Sequence, residues 1–250
     1  MISIKSLREI ELMKEAGRLT AKVLNYLKPF VKEGVTTKEL NDLAYNYTLS
    51  LDSYPAFKDL YGFPGSICIS VNEEVVHGIP GDRVIKNGDV VSLDFGATYK
   101  NYNGDSAITV MVGDVTPENE NLVLHTEKAL YEGLKEVKEG KRLGDVSHAI
   151  EKYALEHNLS VVKVLGGHGI GTHVHEDPFV PNFGSKGTGV ILKENMTLAI
   201  EPILAAGTGN VKVMDDDWTH VTLDNKYAAH FEHTIRVTKD GYEILTEDKE

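Results

Sequence analysis

The chain has 250 residues, 41 % apolar and 26 % charged, ordinary values for a folded protein large enough to bury its own core. Its formal charge of -12 argues against a nonspecific nucleic-acid or anionic-lipid partner, both of which need a basic footprint. The single cysteine excludes an internal disulfide, no uninterrupted apolar run of about 18 residues exists, and MISIKSLREIELMKEAG has no signal-peptide pattern, so a cytoplasmic setting is expected.

In chain order, Ser6 and Glu9 form a capping-box pattern ahead of a helical stripe through Leu7, Ile10, Met13, Leu19, Val23 and Leu27. Thr36 and Glu39 repeat that pattern before a helix carrying Leu40, Leu43, Ala44 and Tyr47. Strand-like runs follow in SICISV, DVVSLDFGA and SAITVMV, rich in β-branched residues and separated by Gly, Pro and Asn turns. Thr116-Pro117 then reads as a helix start, with an N-cap and a proline at the first helical position, and Leu122, Thr126, Leu130, Leu134 and Val137 continue it. The interleaved Lys135, Lys138, Lys141, Arg142 and Glu132, Glu136, Glu139 read as a solvated helix face.

A fourth helix carries Val146, Ile150, Tyr153 and Ala154, and the strands SVVKVL, MTLAIEPIL, NVKVM and AAHFEHTIRV end the chain. Helix, helix, strands thus occurs twice at an offset of about 110 residues. One domain over 1–250 is expected, with pseudo-symmetric halves of about 1–115 and 116–250 whose strands share a sheet.

Acidic residues interrupt the apolar strands. Asp94 sits in VVSLDFGA, Glu201 in MTLAIEPIL and Glu232 in AAHFEHTIRV, while Asp105 opens DSAITVMV after a turn-like Asn-Gly. A buried carboxylate costs several kcal/mol unless a cation compensates it, and Arg236 is the only base in these strand cores. Bound metal ions are the remaining compensators. In LGGHGIGTHVHEDP, glycines surround His168, a metal-ligand type, and His175 follows seven residues later. His77 in VVHGIP begins a loop after a strand and by itself reads as a surface residue; His125 and His173 read as structural or exposed. One zinc ion takes three protein ligands and an open position. One histidine with four carboxylates suits two ions, which at roughly 3.5 Å apart share ligands and generate a hydroxide able to attack an amide.

At these residues the chain resembles the methionine aminopeptidases of peptidase family M24, in their short bacterial type I form. The segments CISVNEEVVHGIP, GDVVSLDFGATYKNYNGDS, GGHGIGTHVHEDP, MTLAIEPI and HFEHTIRVT carry the resemblance over essentially the whole chain. It implies the α+β pita-bread fold, two αα-plus-β halves around a curved antiparallel sheet, and removal of N-terminal methionine with preference for a small second residue. Two divalent ions (cobalt, manganese, iron or zinc) are implied as cofactors. By the same resemblance Asp94 is the terminal ligand of one metal, Asp105 and Glu232 bridge, and His168 and Glu201 bind the second. Glu201 is also the implied proton shuttle, His175 the group stabilising the tetrahedral intermediate, and His77 the residue positioning substrate near the leaving amine.

The implied methionine pocket includes Tyr61, Phe63, Cys68 and Trp218. This chain has Leu60 and Val174 where the family often carries aromatics, exchanging ring area for smaller aliphatics. Proline-directed relatives such as prolidase typically carry a further N-terminal domain and a longer step between the two histidines than that from His168 to His175. The expected partner is a peptide or nascent-protein N-terminus, with transient ribosome association because substrates emerge there. No nucleic-acid or membrane function is expected, and the protein is expected to be a monomer.

Overall fold

The helices begin where the capping patterns place them. In the computed structural model, which describes residues 2–248, helix α1 spans Leu7–Leu27, and the Ser6 amide donates to the Glu9 carboxylate at 2.7 Å. Residues 1, 249 and 250 of the expected 1–250 domain lie outside the described residues. Helix α2 spans Thr37–Ser50 behind the matching Thr36–Glu39 box, helix α3 spans Pro117–Leu134 behind Thr116, and helix α4 spans Leu143–Glu156. The sequence stripe of α1 is buried from Ile10 to Leu27, each such Leu or Ile contributing about 1.5–3 kcal/mol. Leu7 is the exception at 65 % exposure, because it occupies the first helical position, ahead of the packed face. The expected solvated helix face is corrected: α3 ends at Leu134, so residues 135–142 form the turn before α4, where the charges pair in solvent, Lys135 with Glu132 at 2.6 Å and Lys141 with Glu136 at 2.9 Å.

Two hydrophobic cores lie under the two helix pairs. Leu19, Val23, Leu27, Leu40 and Ala44 pack on Ile69, Val91, Leu93 and Phe95; Leu122, Leu130, Leu134, Val146 and Ile150 pack on Leu198, Ile200 and Ile235. Ile108 touches both. Between them runs a nine-stranded antiparallel sheet, ordered Tyr54–Pro55, Val90–Tyr99, Tyr102–Met111, Glu232–Val237, Thr197–Ile200, Gly166–Gly169, Glu176–Pro181. Cys68–Val71 also pairs with Val90–Tyr99, and Tyr242–Ile244 with Glu232–Val237. The halves meet where Tyr102–Met111 pairs with Glu232–Val237. Among the described residues, no helix is long and apolar enough to cross a membrane.

Two further local expectations are corrected. Asp105 does not open its strand: the hairpin turns at Lys100–Asn101, both with positive φ (46° and 68°), and Tyr99 pairs with Tyr102. Two consecutive left-handed residues make the two-residue turn that suits the right-handed twist of the strands, so Asn103-Gly104 lies inside the strand. SVVKVL is strand only over Ser160–Val161; Val162 still donates its amide to Ile203, but Val164 stands out in solvent at the rim of the central cavity.

Candidate metal centre and active site

Register decides which side chains meet. Directly opposed residues in an antiparallel sheet share a face, and so do residues two apart in one strand. Cys68 opposes Asp94, Asp94 opposes Ala107, and Ala107 opposes Glu232, so these side chains form one row across three strand junctions. Asp105, two residues before Ala107, faces the same way. His168 opposes Ala199, which places Glu201, two residues further on, on that face as well. The small Ala107 leaves the space between the Asp94 and Glu232 carboxylates open.

The strands part at the site, and two threonines satisfy the backbone groups released there. The Thr234 hydroxyl accepts from the Asp105 amide at 3.0 Å and donates to the Asp105 carbonyl at 2.8 Å. Thr109 does the same for His230, accepting at 3.0 Å and donating at 2.7 Å. No buried backbone polar group is then left orphaned at these two positions. The glycines around His168 permit close strand packing: a Cβ on Gly167 would run into the Ala199 carbonyl, and one on Gly169 into the Asp177 carbonyl.

His168 Nε2 lies 3.7 Å from Asp105 Oδ2 and 3.6 Å from Glu201 Oε1. Its Nδ1 is 2.9 Å from the Gly169 carbonyl oxygen, which only accepts, so Nδ1 donates there and Nε2 is the atom turned toward the carboxylates. Among the described residues, two groups have ligand atoms all within 4.8 Å of one another: Asp105, His168 and Glu232, and Glu201, His230 and Glu232. Asp94 Oδ1, Asp105 Oδ1 and Glu232 Oε1 are buried without a hydrogen-bond partner, and no lysine or arginine lines the cavity. Unpartnered buried carboxylate oxygens beside an imidazole nitrogen fit divalent cations.

The protonation pattern agrees. Burial, with Asp105 and Glu201 adding repulsion, pushes the Asp94 carboxyl well above its usual range. Burial and the charges of Asp105, Glu201 and Asp94 do the same to Glu232. Burial raises Asp105 to about 6, against the pull of His168. At Glu201 burial acts upward too, but the adjoining His230, His168 and His175 imidazoles outweigh it, and its pKa falls. Burial holds His77 and His175 neutral down to about 4, helped by His220 at the first and His168 at the second.

All eleven residues expected at the site line one cavity of about 790 Å³. Phe63, Cys68 and Val174 are buried in a cluster with Phe57, bordered by Leu60, Ile79 and Trp218, and the Phe63 and Trp218 rings meet edge-on at 5.1 Å. Burial beside Asp94, Asp105 and Glu232 drives the Cys68 thiol well above its usual pKa, so it acts as an uncharged wall. Tyr61 differs: its ring is 73 % exposed at the mouth, 5.8 Å from the His175 ring and nearly parallel to it. His77 is no surface residue; it reaches the cavity from a left-handed backbone conformation, φ 58°, which costs a non-glycine residue roughly 1–2 kcal/mol. His125 stacks on His157 away from the cavity, and His173 lies outside it.

Sequence reasoning passed over His230 and His220. His230 borders Glu201 at 3.2 Å, and its signal was the H-x-E spacing that sets it on the face of Glu232. His220 meets His77 ring to ring at 5.4 Å, and nothing in the local sequence marked it.

Residues 11–239 match metallopeptidase family M24. Methionine aminopeptidase 1 of Bacillus subtilis is 48 % identical over 246 residues, covering 98 % of this chain and 99 % of its own length. The crystal structure of methionine aminopeptidase from Rickettsia prowazekii superposes with a TM-score of 0.97 at 42 % identity, covering 99 % of this chain and 100 % of that one. That from Thermotoga maritima gives 0.97 at 44 % identity with the same coverage. The chain therefore belongs to metallopeptidase family M24 and, within it, to the methionine aminopeptidases.

Proposed function

We propose that this chain removes the N-terminal methionine from peptides and new proteins by metal-dependent hydrolysis, acting as a single catalytic domain over 1–250. The observation that carries this reading is the row of buried, unpartnered carboxylates beside the His168 imidazole, opening onto an apolar slot walled by Phe63, Cys68, Val174 and Trp218. Asp94, Asp105, His168, Glu201 and Glu232 would hold two divalent ions of cobalt, manganese, iron or zinc. Asp94 would be terminal on the first, Asp105 and Glu232 shared, and His168 and Glu201 on the second. The chemistry supplied by such ions is Lewis acidity toward a peptide carbonyl and toward water.

The chain's own groups do the rest. Glu201, ionised because neighbouring histidines lower its pKa, takes the proton from the attacking water and passes it to the departing amine. His175 stays neutral and donates an N–H to the oxyanion that develops on the scissile carbonyl. His77, also neutral, holds the leaving amide from another wall of the cavity. The slot takes the methionine side chain, whose thioether gains from contact with the Phe63 and Trp218 rings. The free α-amine belongs at the carboxylate end, which limits the reaction to the first residue of a chain.

A small second residue is preferred, the substrate is a nascent N-terminus met near the ribosome in the cytoplasm, and the enzyme is a monomer. Equilibrium sedimentation tests the last point, and a stable dimer would overturn it. Hydrolysis of Met-Ala-Ser, Met-Leu-Ser and Ala-Pro-Ala with added manganese, cobalt or iron, against a chelator control, tests the function. Metal-dependent release of methionine from the first peptide alone is expected. Release of alanine from Ala-Pro-Ala would move the enzyme to proline-directed chemistry.

A further inference from the structure

His230 takes no part in the scheme above, yet its ring occupies the centre of the site. The residue is 2 % exposed, and its Nε2 is shielded from solvent with no hydrogen-bond partner. Nε2 lies 3.2 Å from Glu201 Oε2 and 3.9 Å from Glu232 Oε2 without an aligned hydrogen bond to either. Such spacing describes atoms aimed at a common third point. Two atoms each about 2.1 Å from one ion stand roughly 3.0–3.4 Å apart at angles of about 90–109°, and more at wider angles.

The backbone beneath the ring is held firmly. Ala228–His230 pairs with Ile203–Ala205, His230 opposing Ile203. The Thr109 hydroxyl binds both the amide and the carbonyl of His230, and Ser92 Oγ lies 2.9 Å from Thr109 Oγ1. A ligand presented from a strand whose backbone groups are all satisfied is preorganised, as metal ligation requires. The ligand atoms of Glu201, His230 and Glu232 all lie within 4.8 Å of one another, and His168 Nε2 is 3.6 Å from Glu201 Oε1.

We infer that His230 is a second imidazole ligand of the dinuclear centre, joining His168 and Glu201 on the second ion with the shared Glu232. The inference rests on the metal-dependent reading above. It has a chemical consequence: the second ion would carry two nitrogen donors, while the first would keep an all-oxygen set. Imidazole favours zinc and cobalt over manganese relative to carboxylate, and the site holding His168 and His230 therefore discriminates against manganese.

The test uses the full chain stripped of metal and reconstituted with two equivalents of cobalt(II). X-ray absorption fine structure is expected to show two imidazoles per two cobalt ions in the unaltered protein and one in His230→Gln. Calorimetric titration of His230→Gln is expected to show zinc binding weakened by about tenfold or more at one of the two equivalents, with a smaller loss for manganese. One imidazole per two cobalt ions in the unaltered protein overturns the inference. So does a folded His230→Gln whose imidazole count and zinc affinity are unchanged. If His230→Gln fails to fold by circular dichroism, the imidazole count of the unaltered protein decides alone. Failure of the underlying reading looks different: the unaltered protein would bind no divalent ion and release no methionine from Met-Ala-Ser. Two bound ions, methionine release and a single imidazole would sink only the role of His230.

Discussion

The ammonium of Lys5 lies 2.6 Å from the Glu176 carboxylate, 171 residues away, with 4 % and 16 % of the two side chains exposed. The Lys5 amide donates to the Asn195 carbonyl at 3.0 Å, and Glu176 Oε1 accepts from the His173 amide at 3.2 Å. The segment before α1 thus clamps the loop that carries His175, beside the reacting atoms rather than among them.

Breaking this pair should affect stability and rate together. Lys5→Met leaves a largely buried carboxylate without its cation, a loss of about 3–5 kcal/mol of folding stability in urea titration. In the protein that remains folded, kcat on Met-Ala-Ser should fall more than KM changes, and Lys5→Arg should restore part of it. An unchanged kcat in folded Lys5→Met would show that His175 is positioned by other contacts.

Removal of the proton shuttle should abolish turnover. Glu201→Ala is expected to lower kcat by at least about 1000-fold, because it removes both a base and a metal ligand. Retention of the unaltered rate in a metal-replete assay would remove Glu201 from that role.

Pocket volume should govern affinity for the first side chain. Val174 is buried against Phe57, Phe63 and Cys68, so Val174→Phe puts a ring into the slot that receives methionine. Overpacking of this kind costs about 1–3 kcal/mol, which predicts KM for Met-Ala-Ser raised by about tenfold or more with kcat little changed. Steady-state kinetics that leave KM untouched would place the methionine side chain elsewhere in the cavity.

Cation binding should stabilise the protein more as pH rises. The raised pKa values of Asp105 (about 6), Asp94 and Glu232 mean that the metal-free folded state keeps protons that the unfolded state has released. Their contribution is fully present below the unfolded values and is lost as pH rises, through about 4 to 6 for Asp105. His77, His175 and His233, each lowered to about 4, act oppositely: their contribution is present above about 6.5 and is lost as pH falls toward 4. The histidine effect is common to metal-free and metal-loaded protein and drops out of the difference between them. The rise in Tm on adding manganese or cobalt should therefore be small near pH 5 and grow toward about pH 7.5. A rise independent of pH would mean that the carboxyls are not protonated in the metal-free state.

What could be read along the chain was what local physics dictates. Ser6 with Glu9 and Thr36 with Glu39 start helices because a capping box closes within four residues. Asp94, Glu201 and Glu232 stood out because a carboxylate in an apolar strand is costly wherever the strand goes, and the two-half plan followed from the repeated order of elements. Where a choice depended on pairing, the chain alone was silent or misleading. Asn103-Gly104 has the composition of a hairpin turn, yet pairing of Tyr99 with Tyr102 puts the turn at Lys100–Asn101. His77 has the sequence of a surface loop, and only its left-handed backbone directs it into the cavity. His230 acquires meaning only because Thr109, 121 residues away, fixes its backbone and Glu201 stands beside its ring. Helix caps and burial costs are settled among neighbours in the chain, whereas register and cavity walls are set by strands far apart in sequence, whose alignment no local signal encodes.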